Sequence, residues 1–193
     1  MYNNTGGSSN TAVGRDALNQ NLGGTYNTAV GSESMYSNTS GTYNVAIGYT
    51  ALRKNSTGSY NVANGYQAGM TTTNAISGSN STFLGTNATI ADTAQMASAS
   101  NITLLGAGAT ASGITGANNQ DVHMTAIGAG ASVTSIDTVV LGRAADNVVV
   151  GGTAAGGELF HVYGTAGGTS GFATSSDIRY KTNITPVINA LET

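Results

Sequence analysis

The chain has 193 residues, a net charge of −3, 28 glycines, one proline and no cysteine. Leu, Ile, Val and Phe make up about 18% of it, too little to fill the core of a compact globule of this length. A charged fraction of 8% argues against a chain kept disordered by self-repulsion, the lack of cysteine excludes a disulfide framework, and six scattered Lys and Arg residues form no basic stripe for nucleic acid.

The opening MYNNTGGSSN lacks the basic-then-apolar pattern of a signal peptide, and no apolar run approaches the roughly 20 residues of a membrane span. Membrane insertion is therefore not expected. What remains is an elongated β structure with a narrow core at each level, supplied by small residues in register.

From the N-terminus a pentapeptide returns every 17 residues: NTAVG from Asn10, NTAVG from Asn27, NVAIG from Asn44 and NVANG from Asn61, with a partial copy at Asn4 and Gly7. Gly14, Gly31, Gly48 and Gly65 keep phase, as do Leu18, Met35 and Leu52, then Gly24, Gly41 and Gly58, then Tyr26, Tyr43 and Tyr60. A fixed period of this length means stacked structural units. Residues 1–70 are the regular part.

In the unit 44–60, Val45–Ile47 reads as a short strand leaving into a turn at Gly48. Thr50–Leu52 reads as a second strand, followed by the turn formers Asn55, Ser56, Thr57 and Gly58, of which Asn and Gly tolerate a left-handed corner. Two strands and two turns make one coil of a parallel β-roll, with rungs about 4.8 Å apart. Alternation assigns the faces. The bulkier positions (Thr11/Val13, Thr28/Val30, Val45/Ile47, Val62/Asn64) are expected inside the coil. Ala12, Ala29, Ala46 and Ala63 are then outside, where a small face suits close packing of sister subunits around an axis. This predicts a homo-oligomer, with three copies the expected number. The alternative is that alanine fills a tight single-chain solenoid.

Tyr26, Tyr43 and Tyr60 are expected to stack as a ladder that pins register; a carbohydrate or receptor platform is the other reading. Asn38-Thr-Ser and Asn55-Ser-Thr match the glycosylation acceptor pattern, which turn chemistry explains equally well.

Residues 71–152 continue the roll at irregular spacing, with STFLG ending at Gly85, ITLLG at Gly106, MTAIG at Gly128, TVVLG at Gly142 and NVVVG at Gly151. The segments Thr71–Ser79, Asn87–Ser100 and Gly108–Gln120 read as loop insertions on one face, and the loops between residues 71 and 120 as a variable contact surface. His123 falls in a polar loop. Residues 153–175 form a β connector, in which His161 lies on the strand-like Glu158–Tyr163 and Gly164–Gly171 is a flexible link. Neither histidine has the partners of a metal site, and no cofactor is expected.

The NTAVG/NVAIG units, with the AL, NxxG and YN that follow them, resemble the head repeats of trimeric autotransporter adhesins and, equally, the β-roll repeats of phage tail and fibre proteins. The likeness covers residues 4–70 well and 80–152 loosely. It implies a left-handed parallel β-roll with three chains packed around an axis.

Residues Ser175–Thr185, SSDIRYKTNIT, resemble the start of the intramolecular chaperone domain found at the C-terminus of endosialidase-type tailspikes and many phage tail fibres. The family signature Ser-Asp-x-Arg-x-Lys is met by Ser176, Asp177, Arg179 and Lys181. In that family the domain trimerises the preceding fibre and then cuts itself off before the serine. The resemblance implies cleavage of the Ser175–Ser176 bond, with Ser176 as nucleophile, Lys181 as base, and Asp177 and Arg179 as accompanying motif residues. A lysine at its ordinary pKa of about 10.4 is protonated, so burial or a neighbouring cation has to lower it before it takes the serine proton. Residues 176–193 match only the beginning of that domain, ending in Pro186 and an expected helix start at VINALET.

The expected function is that of a structural and host-receptor-binding distal tail fibre in a virion, in contact with other tail proteins and with a glycan or outer-membrane component of the host. Any enzymatic activity is expected to be a single self-cleavage. A trimeric adhesin on a bacterial surface is one alternative. A polysaccharide-depolymerising tailspike is another, for which Asp16 and Glu33 are the acidic residues in phase between repeats.

Overall fold

A computed structural model describes residues 3–71, 74–91, 97–113, 121–144 and 146. They form an all-β parallel solenoid. One wall is an eight-stranded sheet of β1 (Thr11–Val13), β2 (Thr28–Val30), β3 (Val45–Ile47), β4 (Val62–Asn64), β5 (Thr82–Leu84), β7 (Ser100–Leu105), β9 (Asp121–Ile127) and β11 (Thr138–Leu141). A second wall begins only at the fifth rung, as β6 (Thr89–Ile90), β8 (Thr110–Ala111) and β10 (Ser132–Val133). The chain divides into two units, Met1–Val148 and Val149–Thr193, and the second lies outside the described residues.

Each strand is too short to stand alone, so hydrogen bonds to the neighbouring rungs hold it. Thr28 N–H donates to Asn44 O at 2.8 Å and Gly31 N–H to Val13 O at 2.7 Å, and the register is in step at every rung of the regular part. The irregular strings ending at Gly85, Gly106, Gly128 and Gly142 join the same sheet, as expected; the string ending at Gly151 lies outside the described residues.

The faces are the reverse of the primary expectation. Ala29, Ala46 and Ala63 are fully buried, whereas Val13 is 56% exposed and Ile47 40%. The alternative, alanine filling a tight coil, is the arrangement found. The reason is width. Leu18, Met35 and Leu52 enter each coil from the turn and are completely buried, and one large side chain per rung leaves room opposite for nothing larger than alanine.

The expected second strand at Thr50–Leu52 is a turn in the regular rungs. Both Thr50 (φ 53°) and Leu52 (φ 48°) are left-handed, as are Asp16, Leu18, Glu33 and Met35 in the equivalent places. Left-handed geometry is costly for such side chains, and burial of the Leu/Met column offsets it. Conversely, two stretches expected as loops contain the strands β6 and β8, since Ile90 and Ala111 turn inward there.

Asparagine was expected at left-handed corners, and Asn80, Asn87 and Asn101 take them, but in the regular rungs its role is different. Asn21, Asn38 and Asn55 are buried and form a ladder: Asn38 Nδ2 donates to Asn21 Oδ1 at 2.7 Å, and Asn55 Nδ2 to Asn38 Oδ1 at 2.9 Å. A second ladder runs through Asn10, Asn27, Asn44 and Asn61, each Oδ1 accepting the backbone N–H of the next rung, with Ser81 completing the column. The second amide hydrogen of each residue reaches a glycine carbonyl, for example Asn27 to Gly41 O at 2.8 Å. The asparagine corners of the regular rungs are thereby satisfied within the protein. Asn38 and Asn55, which match the glycosylation pattern, are inaccessible in the folded chain.

Glycine is required for space. A Cβ on Gly41 would lie 2.3 Å from Gly58 O, and one on Gly31, at φ +133°, 2.4 Å from Gly48 O. Successive rungs touch backbone to backbone at both columns.

Candidate functional site

The outward face of the eight-stranded sheet is the chief surface feature. Its two columns are Thr11, Thr28, Val45, Val62, Thr82, Thr103, Thr125 and Val139, then Val13, Val30, Ile47, Asn64, Leu84, Leu105, Ile127 and Leu141. None of the sixteen is charged. Leu105, Ile127 and Leu141 remain substantially exposed, continuing the character of Val13 and Ile47 along the length of the sheet. A row of exposed branched apolar residues on a sheet is a surface suited to a partner.

Aromatic ladders occupy the turns that lead into and out of these strands. Tyr26, Tyr43 and Tyr60 stack with centroids 4.9 and 5.1 Å apart and planes within 6°, as expected. Tyr49 and Tyr66, which sequence reasoning did not single out, stack at 5.5 Å just beyond Gly48 and Gly65. The rings spend their faces on one another, so what they offer outward is edges and hydroxyls. This favours a register-setting role over face-on stacking of sugars.

A charged cluster lies on the turn beyond the strands. Glu33 accepts from Arg15 Nη2 at 2.9 Å and from Arg53 Nε at 2.8 Å, and Arg53 lies 5.3 Å from the centre of the Tyr36 ring. The hydrogen bond from Arg53, reinforced by Arg15, holds the Glu33 carboxyl below its ordinary range despite partial desolvation. Asp16 accepts from Asn19 Nδ2 at 2.9 Å and lies 3.5 Å from Arg15. A glycosidase acid needs a raised pKa. Glu33 is shifted the other way.

His123, expected in a loop, is in β9 at φ 42°, exposed, with Nε2 3.3 Å from Asp121 and Nδ1 3.4 Å from Asp137. It occupies the left-handed corner column of Tyr60, Asn80 and Asn101. Asn101 Nδ2 donates to Asp121 Oδ1. No group of three His, Cys, Asp or Glu among the described residues has the geometry to hold a metal ion. A hollow of about 450 Å³ near Gly130, Ser132 and Leu141 contains one ionisable group, Arg143, and Asp146 engages it at 3.1 Å.

Ser175, Ser176, Asp177, Arg179 and Lys181, together with His161 and the expected C-terminal helix start, lie outside the described residues. No helix among the described residues is long and apolar enough to cross a membrane.

Searches against protein-family models, curated proteins and solved structures match nothing to this chain.

Proposed function

We propose that the chain is the rod of a homotrimeric fibre, a structural and host-receptor-binding component at the distal end of a bacteriophage tail. The observation that supports this most is the uncharged outward face, which runs along the whole eight-stranded sheet with stacked tyrosines at its turns. Three such faces turned toward a common axis would bury the exposed Val, Ile and Leu side chains and make a stiff rod. The association surface is thus the Val/Ile/Leu face, with alanine inside each coil. Host-receptor contact (a glycan or outer-membrane component) and contacts with other tail proteins would fall to the remaining surface and to the segments between rungs. The Ser175–Lys181 motif supports maturation by a C-terminal intramolecular chaperone that trimerises the rod and then cuts before Ser176.

Two measurements test this. Sedimentation equilibrium of the chain is expected to give a trimer, and Ile47→Glu with Leu105→Glu to give a monomer that keeps its β spectrum. A wild-type monomer at micromolar concentration would overturn the assembly reading. For processing, a longer product carrying the full chaperone domain is expected to run as two bands with Ser176 and as one with Ser176→Ala. Identical patterns would refute cleavage at this bond.

A further inference from the structure

A face that repeats with the rise of its own stack has an ambiguity built in. Slide one copy along another by one rung, and Val13 takes the place of Val30 and Val30 that of Ile47, at little cost in complementarity. Pairing register is weakly specified wherever the contacting surface is uniform. The outward face thus provides adhesion but, from its apolar residues alone, no alignment.

In the first column Thr and Val, which are nearly the same in shape, replace one another; in the second, otherwise all Val, Ile and Leu, one position breaks the run. Asn64 stands in the column Val13, Val30, Ile47, Leu84, Leu105, Ile127 and Leu141, paired in register with Ile47 on one side and Leu84 on the other. The asparagines of the two buried ladders are all hydrogen-bonded. Asn64 is exposed, and its carboxamide has no hydrogen-bond partner among the described residues. It is the single polar member of its column.

We propose that Asn64 sets the register and direction of self-association through this face. The inference rests on the assembly reading above and names its aligning residue. A carboxamide carries both donors and an acceptor, so a second carboxamide at the same height satisfies it. Copies related by rotation about an axis parallel to the stack bring Asn64 against Asn64. Slid by one rung, each Asn64 meets Ile47 or Leu84 of its neighbour and is buried without a partner. Reversed at full overlap, the fourth rung of one copy meets the fifth of the other, and Asn64 again faces Leu84. A single buried asparagine in an apolar seam selects alignment in the same way in helical assemblies. Its self-complementarity, together with the matching rise, identifies a second copy of this chain as the occupant.

Cysteine reporters read the register directly, because the chain has no cysteine of its own. One preparation carries Val30→Cys, another Ile47→Cys; they are mixed, co-refolded and joined with a short thiol-reactive linker. Like-with-like products report aligned copies, and the mixed product reports a slip of one rung. With Asn64 present, like-with-like products dominate. Asn64→Val and, as a second variant, Asn64→Ala raise the mixed fraction on the order of tenfold, the penalty of an unpartnered buried carboxamide having been removed. Asn64→Gln, which retains the amide, keeps it low. Equal mixed fractions in all backgrounds, with the oligomer intact, would overturn the role of Asn64 while leaving assembly standing. Absence of every cross-link in an associated protein would show that another surface makes the contact. A monomeric wild type would remove the assembly reading itself and this inference with it.

Discussion

Gly69 and Phe83 share one space in the core. Gly69 occupies the place that Leu18, Met35 and Leu52 hold in the preceding rungs, and a Cβ on it would lie 2.8 Å from both Phe83 Cδ2 and Leu52 Cδ2. Phe83 stands where those rungs have alanine and is buried at 2% exposure. The large side chain has moved from the turn to the strand of the next rung, and the small one from the strand to the turn. The exchange should therefore be reversible. Phe83→Ala alone is expected to cost about 4 kcal/mol through the cavity it leaves, and Gly69→Leu alone about 2 kcal/mol or more through overpacking. The double variant should recover about 2 kcal/mol of their sum, a coupling that urea denaturation of all four proteins measures.

Contact between rungs makes glycines unequal. Gly31→Ala would drive a Cβ to 2.4 Å from Gly48 O and 2.6 Å from Gly48 C at φ +133°. A loss of about 3 kcal/mol or more is expected, because backbone on the next rung has to move. Gly23 has nothing within 4 Å of its would-be Cβ. Gly23→Ala should stay within about 0.5 kcal/mol of wild type. Thermal melts of the two single variants decide the point.

Asn44 holds three bonds in one ladder: to Asn27 Oδ1 at 3.0 Å, to Gly58 O at 2.9 Å, and from Asn61 N–H at 2.9 Å. Asn44→Ala strands buried partners on two rungs, and a loss of about 3 kcal/mol is expected by chemical denaturation. The outward Asn64→Ala, measured below the association threshold, should change stability far less.

The Glu33 cluster gives a small pH dependence. Its folded pKa is lowered, first by the Arg53 hydrogen bond and then by Arg15, so its contribution is fully present above the unfolded value and fades as pH falls through the folded one. As a largely surface network it is worth at most about 1 kcal/mol. The difference in denaturation midpoint between wild type and Glu33→Gln should accordingly be visible at pH 7 and shrink as the pH is taken down through the acid range in which Glu33 is protonated.

The 17-residue period was enough to read the architecture, because each NTAVG-like string supplies one strand and one obligatory glycine. It also placed the tyrosine ladder correctly, since residues in phase must stack once rungs are parallel. Which side of the strand faces inward was not legible. Alternation separates Val45 and Ile47 from Ala46 but does not say which set is inside, and the decision belongs to Leu52, six residues past Ala46 and across the coil. The asparagines of the regular rungs were misread for a related reason: a turn former, as Asn80 and Asn101 are, and a ladder member have the same letter, and only a neighbouring rung at hydrogen-bond distance distinguishes them. His123 was expected in a loop, and its neighbours Asp121 and Asp137 were not singled out, because the bulge in the β7–β9 pairing and longer rungs put them outside the 17-residue phase.

Repetition, the obligate glycines and the parallel stack are consequences of order along the chain, because identical segments in identical surroundings repeat one local conformation. The inside and the outside of the coil, the Gly69–Phe83 exchange and the uncharged face interrupted at Asn64 were decided only in three dimensions. Volume and hydrogen-bond partners are shared between rungs, and no segment carries either by itself.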